Sequence, residues 1–208
     1  MSRLHERQMK RFAAAGLYVV TSRDASAGRS TLSILEAVLV HGVRLIQIRE
    51  KNLCKRDLLA LALKARELTA RAGALLIIND HLDVALAAGA DGVHLGQEDL
   101  PVNVARRLAG DFIIGASATN LKEAREAEKL GASYVNVGPV YATQTKTDLP
   151  VPLGLAAVRE VARSVRIPFT VMGGIQARHV RELVAAGART LAVISAVTGA
   201  PEPGRAAA

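Results

Sequence analysis

The sequence predicts a single (β/α)8 barrel, an α/β TIM barrel with a short N-terminal helix and a truncated C-terminal helix. Three observations carry that reading. Helix-like stretches end six times at a glycine, at Gly42, Gly73, Gly89, Gly110, Gly131 and Gly187, and an apolar run begins almost at once. Glycine suits the left-handed position just past a helix end. The runs that follow are short and continuously apolar, as expected of parallel strands buried on both faces. Counted along the chain, strands and helices alternate to give eight of each pair, the barrel number. The rival architecture, an open doubly wound sheet, usually carries a glycine-rich dinucleotide loop after its first strand. Residues 21–28 contain no such pattern.

The elements follow in order. Leu17-Tyr18-Val19-Val20-Thr21 forms the first strand, and a loop containing Gly28 leads into a helix over 31–41. Leu45-Ile46-Gln47-Ile48 is the second strand. The next helix places Leu58, Leu61, Ala65, Leu68 and Ala72 on one apolar face. Leu75-Leu76-Ile77-Ile78 and Gly92-Val93-His94-Leu95 are the third and fourth strands, separated by a short helix over 81–88. A helix over 102–108 precedes Phe112-Ile113-Ile114. The next helix opens at Asn120, with Glu123 three residues on in a capping-box pattern. Tyr134-Val135-Asn136-Val137 is the sixth strand. Helices over 155–164 and 178–186 flank the seventh, Phe169-Thr170-Val171-Met172, and Leu191-Ala192-Val193-Ile194 is the eighth. One domain over 1–208, with its core at about 17–196, accounts for the whole chain.

Composition narrows the function. With 208 residues, half of them hydrophobic, the chain can bury a substantial core. No run approaches the roughly 18 apolar residues of a membrane span. Residues 1–12 are basic and polar, unlike a secretory signal. The single cysteine, Cys54, excludes an internal disulfide and fits a reducing cytoplasm. A net charge of +8 admits nucleic acid or small anionic ligands as partners. Aromatic residues make up only 3% of the chain and the cations are scattered, so the stacking platform of a nucleic-acid binder is missing. Nothing in the sequence assigns an oligomeric state.

In barrels the chemistry sits at the C-terminal ends of the strands. The second strand ends Gln47-Ile48-Arg49-Glu50-Lys51, and alternation puts Gln47, Arg49 and Lys51 on one side, a set suited to an anion. Asn79-Asp80 ends the third strand, and Gln97-Glu98-Asp99 follows the fourth. Asp80 and Asp99 suit Mg²⁺, which takes one or two carboxylates and completes its shell with water and phosphate oxygens. Both also precede helices, where an aspartate serves equally as a cap. The fifth strand ends Gly115-Ala116-Ser117, and the long loop after the sixth carries Thr143-Gln144-Thr145-Lys146. Gly173-Gly174 and Ile194-Ser195 end the last two strands, where such barrels recurrently bind phosphate. His94 reads as a hydrogen-bonded core residue. No nucleophile and base pair emerges, so electrostatics and positioning should dominate the chemistry.

Taken together, Gln47-Ile48-Arg49-Glu50-Lys51, Ile78-Asn79-Asp80, the segment from Gly92 to Asp99, Gly138-Pro139-Val140, Thr143-Gln144-Thr145-Lys146, Gly173-Gly174-Ile175 and Val193-Ile194-Ser195-Ala196 resemble the thiamine-phosphate synthase family. The resemblance implies condensation of 4-amino-2-methyl-5-hydroxymethylpyrimidine diphosphate with thiazole phosphate, giving thiamine phosphate and pyrophosphate by a dissociative substitution. It implies that Gln47, Ile48, Arg49, Glu50, Lys51, Asn79, Ser117 and Lys146 hold the pyrimidine diphosphate. Thr143, Gln144, Thr145, Gly174, Ile194 and Ser195 would hold the thiazole phosphate, and Asp80 and Asp99 the Mg²⁺. Many members carry histidine where Thr119 stands and proline where Ala142 stands, and residues 148–152 are poorer in glycine than usual. A sister branch isomerises thiazole phosphate with a histidine acid–base, and Thr119 stands where that histidine is expected. A non-catalytic phosphate-binding barrel is the other alternative, and it leaves the joint metal and diphosphate set unexplained.

Overall fold

The structure, a computed structural model, describes residues 2–143 and 151–208. Eight parallel strands close in sequential order: β1 (Leu17–Val20), β2 (Leu45–Ile48), β3 (Leu75–Asn79), β4 (Gly92–Leu95), β5 (Ile113–Ala118), β6 (Tyr134–Val137), β7 (Phe169–Val171) and β8 (Thr190–Val193). The seam is sealed by β8 against β1, where Leu17, Tyr18 and Val19 register with Leu191, Ala192 and Val193. Around the barrel run α1 (Arg3–Ala13), α2 (Thr31–Val40), α3 (Lys55–Arg71), α4 (Leu82–Ala87), α5 (Val102–Ala109), α6 (Leu121–Lys129), α7 (Gly154–Ser164), α8 (Val180–Ala185), α9 (Ser195–Thr198) and α10 (Pro203–Ala207). None of the described helices is long and apolar enough to cross a membrane.

All six helix-ending glycines adopt positive φ, from 33° at Gly110 to 106° at Gly187. They turn the chain from a helix end into the next strand, which is the joint their spacing implies. Strand alternation then sorts the side chains. Val19, Ile46, Ile48, Ile78, Val93, Ile114, Val135 and Val171 pack outward against the helices. Tyr18, Val20, Leu45, Leu75, Ile77, Ile113, Tyr134 and Ala192 fill the barrel itself. Each such aliphatic side chain contributes about 1.5–3 kcal/mol of transfer free energy on full burial.

The N-terminal helix has a use that its polar composition hides. Phe12 of α1 is fully buried, with its ring 4.4 Å from that of Tyr134 and 6.1 Å from that of Tyr18. It closes the end of the barrel opposite the strand C-termini. The helix is pinned there by a hydrogen bond of 2.8 Å between His5 Nδ1 and the Asp111 carbonyl, and by Arg11 Nη2 donating to the Gly73 carbonyl. At the other terminus, the expected truncated helix is two short ones. Pro203 and Gly204 of α10 are buried, and a Cβ on Gly204 would collide with His41 at the end of α2, so the chain end packs closely there. Arg29 Nη2 donates to the Pro201 carbonyl at 2.9 Å and ties down the link between α9 and α10.

Two local expectations shift. The helix expected over 178–186 begins as a 3-10 turn, Ala177–His179, before α8. Asn120 caps α6 as expected, accepting from the Glu123 amide at 2.9 Å. The Glu123 carboxylate does not complete the box on Asn120, however. It accepts from the amide and hydroxyl of Thr119 and from the Asn120 side-chain amide at 2.7 Å, not from the Asn120 backbone amide.

Candidate active site

The parity that builds the core also decides which polar side chains reach the mouth of the barrel. On β2, Leu45 and Gln47 point inward, and Arg49 continues that side beyond the strand end. Ile48 points the other way, into the layer between barrel and helices. Glu50 shares that outward side, and its carboxylate accepts from the Arg23 amide at 2.9 Å and the Thr31 hydroxyl at 2.7 Å. Of the five neighbours singled out in the sequence, the side chains of Ile48 and Glu50 are therefore committed to the fold. The Thr21 hydroxyl accepts from the Arg49 amide at 3.1 Å, fixing the backbone from which the guanidinium extends.

The third and fourth strands bring the two aspartates together. Asp80 follows β3 with φ of 63°, and its amide donates to the His94 carbonyl of β4 at 2.8 Å. Asp99 is folded back so that one carboxylate oxygen accepts from the Gly96 amide at 2.6 Å. Neither aspartate caps its helix, because the cap positions of α4 and α5 are His81 and Pro101. Burial, then a hydrogen bond with Asp99 and the charge of that neighbour, push the Asp80 carboxyl up to about 6. Lys51 acts in the opposite sense, with its ammonium 3.7 Å from Asp80 Oδ2. Two adjoining carboxyls that resist joint ionisation form a site that gains from a cation. Among the described residues no cluster of three or more metal-ligating side chains exists, so any ion held here needs ligands from substrate or water.

Beneath this rim lies a buried polar chain. Gln47 Nε2 donates to the Tyr18 hydroxyl at 2.6 Å, and the Tyr18 and Tyr134 hydroxyls lie 2.9 Å apart. Tyr134 is 2.9 Å from His94 Nδ1, and His94 Nε2 is 3.0 Å from Ser117 Oγ. Burial holds the His94 imidazole down at about 4, so it is neutral near pH 7. It is a hydrogen-bonded core residue, as its position in the sequence suggested. Tyr18 and Tyr134 were not singled out there; a tyrosine at an inward strand position is the signal that finds them. Asn79 is buried at the inward end of β3, in register with His94. Asn136 of β6 is another inward polar residue, accepting from the Thr170 hydroxyl at 2.7 Å.

The far side of the mouth is built from backbone. Gly173 and Gly174 follow β7 with φ of 103° and 61°. A Cβ on Gly173 would lie 2.6 Å from the Pro139 Cα, and one on Gly174 would collide with the Ala142 carbonyl. The glycines thus let the loop after β6 lie directly on the loop after β7. Val140 donates to the Met172 carbonyl at 2.8 Å and Tyr141 to the Gly173 carbonyl at 3.0 Å, so the two loops form one surface. Tyr141 stacks on His179 with centroids 4.0 Å apart and donates to Glu182. Ile194 and Ser195 end β8 and begin α9 beside this surface, and Thr143 follows Ala142. Gln144, Thr145 and Lys146 lie outside the described residues.

Residues 17–197 match the family model for thiamine monophosphate synthase. The thiamine-phosphate synthase of Chloroflexus aurantiacus is 47% identical over 186 residues, covering 89% of this chain and 86% of that protein. That of Moorella thermoacetica is 47% identical over 192 residues, covering 92% and 91%. The solved thiamine phosphate pyrophosphorylase of Pyrococcus furiosus superposes with a TM-score of 0.87 at 39% identity, covering 95% of this chain and 94% of that one.

Proposed function

Because the chain belongs to the thiamine monophosphate synthase family, we propose that it is a thiamine-phosphate synthase that works with Mg²⁺. The observation supporting the metal is the Asp80–Asp99 pair, whose mutual repulsion and burial favour a bound cation. Asp80 and Asp99 would hold Mg²⁺, which supplies positive charge to the leaving diphosphate. Arg49 and Lys51, on the same rim, together with Lys146, would bind diphosphate oxygens and stabilise the charge that gathers on them. Gln47, Asn79 and Ser117 line the inward side for the pyrimidine. The paired glycines and Ile194-Ser195, with Thr143, Gln144 and Thr145, would receive the thiazole phosphate.

In the reaction the bond between the pyrimidine methylene carbon and the diphosphate oxygen breaks, and its electron pair leaves with pyrophosphate. The thiazole nitrogen then supplies its lone pair to form the new C–N bond. That nitrogen carries no proton to remove, so a mouth without a general base is sufficient. The thiazole-isomerising alternative needs an acid–base imidazole, whereas the Thr119 hydroxyl is bound to Glu123. The reading includes a cytoplasmic location, which the phosphorylated substrates and the lone exposed thiol of Cys54 support.

The test is pyrophosphate release from the purified chain with both substrates and Mg²⁺. Release that requires both substrates and stops with chelator is the expected result. A folded protein that releases none overturns the synthase reading. Full turnover by the folded Asp80→Asn/Asp99→Asn variant in chelator overturns the metal assignment alone.

A further inference from the structure

Proton accounting gives the buried chain beneath the mouth a direction. Gln47 Nε2 carries only donors, so the Tyr18 oxygen accepts at 2.6 Å. The Tyr18 hydrogen then has one partner, the Tyr134 oxygen at 2.9 Å. Having accepted, Tyr134 turns its own hydrogen to His94 Nδ1 at 2.9 Å. The neutral imidazole must therefore carry its proton on Nε2, which donates to Ser117 Oγ at 3.0 Å. The Ser117 hydrogen takes no part in the chain, and Ser117 is only partly buried. Turning the Gln47 amide over reverses every bond and leaves Ser117 donating downward to His94. The two ends are thus coupled through three side chains on three other strands. Tyr18, Tyr134 and His94 are almost wholly buried, and the described residues contain no buried side-chain polar atom without a partner, so no group inside can absorb a mismatch.

We propose that Tyr18, Tyr134 and His94 form a relay whose polarity is set by the Gln47 amide, and which presents the Ser117 hydroxyl as a hydrogen-bond donor to an acceptor atom of the pyrimidine diphosphate. The proposal rests on the synthase reading. The three are positioning residues, and none of them touches the reacting atoms. Gly115 belongs to the same device, since a Cβ there would fall within 3.0 Å of the Tyr134 ring and hydroxyl.

The direct test is the ¹⁵N spectrum of the full chain labelled at histidine. His94 should show a bare Nδ1 and a protonated Nε2. Tyr134→Phe removes the donor to Nδ1, so the tautomer signature should change. The KM for pyrimidine diphosphate should rise about five- to tenfold while that for thiazole phosphate stays put. His94→Gln keeps an N–H near the Nε2 position and should recover most of what His94→Asn loses. A proton on Nδ1 in the active wild-type enzyme overturns the relay, and that measurement stands even where a variant fails to fold. A folded Tyr134→Phe with unchanged tautomer and unchanged KM also overturns it. Protonated Nε2 in a chain that releases no pyrophosphate supports the polarity and overturns the substrate assigned to Ser117.

Discussion

Gly115→Ala is the smallest change that should break both the core and the site. The added methyl would lie within 3.0 Å of Cζ, Cε1 and Oη of Tyr134. Tyr134 has nowhere to retreat: it is fully buried, the Phe12 ring lies 4.4 Å behind it, and its hydroxyl bridges Tyr18 and His94 at 2.9 Å each. Overpacking of this kind costs about 1–3 kcal/mol. Pushing the ring aside also breaks two buried hydrogen bonds at roughly 1 kcal/mol each. The sum is about 3–5 kcal/mol, a large share of the roughly 5–15 kcal/mol that folded domains have in total. For a chain of this size that corresponds to a fall in Tm of roughly 6–20 °C. Urea unfolding should show a lower midpoint with an unchanged slope. A double-mutant cycle sharpens the claim. In a Tyr134→Ala background the obstacle is gone, so Gly115→Ala should cost little, giving a coupling of about 2 kcal/mol or more. A cost below about 1 kcal/mol in the wild-type background, or strict additivity with Tyr134→Ala, would refute the reasoning.

Asp80→Asn should abolish turnover and yet stabilise the metal-free fold near pH 8. The folded pKa of Asp80, about 6, lies above its unfolded value, so the stability tied to its protonated form is complete at low pH and is lost as pH rises through about 6. Urea unfolding in chelator should favour the variant by about 1–3 kcal/mol at pH 8, with the gap closing below about pH 4. For the same reason, Mg²⁺ affinity measured by calorimetry should fall as pH drops through about 6, because the ion must displace a proton. Gly174→Ala meets both an unfavourable φ of 61° and the Ala142 carbonyl. It should raise the KM for thiazole phosphate about five- to 150-fold by about 1–3 kcal/mol of strain, while the KM for pyrimidine diphosphate changes little. Equal effects on both substrates would remove the assignment of that loop pair to thiazole phosphate.

What could be read from the sequence was local, and what could not depended on closure of the barrel. The glycine joints are legible because a positive φ at a helix end is a one-residue requirement. The aspartates are legible as a pair because strand ends in a parallel barrel share one face, so residues nineteen positions apart meet by topology alone. Alternation, applied strictly, also separates Gln47 and Arg49 from Ile48 and Glu50, whose side chains face the helices. The resemblance spans all five residues, and a contiguous motif of this kind mixes positions that face the barrel mouth with positions that hold the strand. The relay is another matter. Gln47, Tyr18, Tyr134, His94 and Ser117 come from five strands, and β6 brings Tyr134 across the interior to β1. Which inward residues meet across a barrel depends on its stagger and on what plugs its floor, here Phe12 from a helix outside the repeat. A sequence shows that Tyr18 and Tyr134 point inward. Only the closed barrel shows that they touch, and that they join an amide on β2 to a hydroxyl on β5.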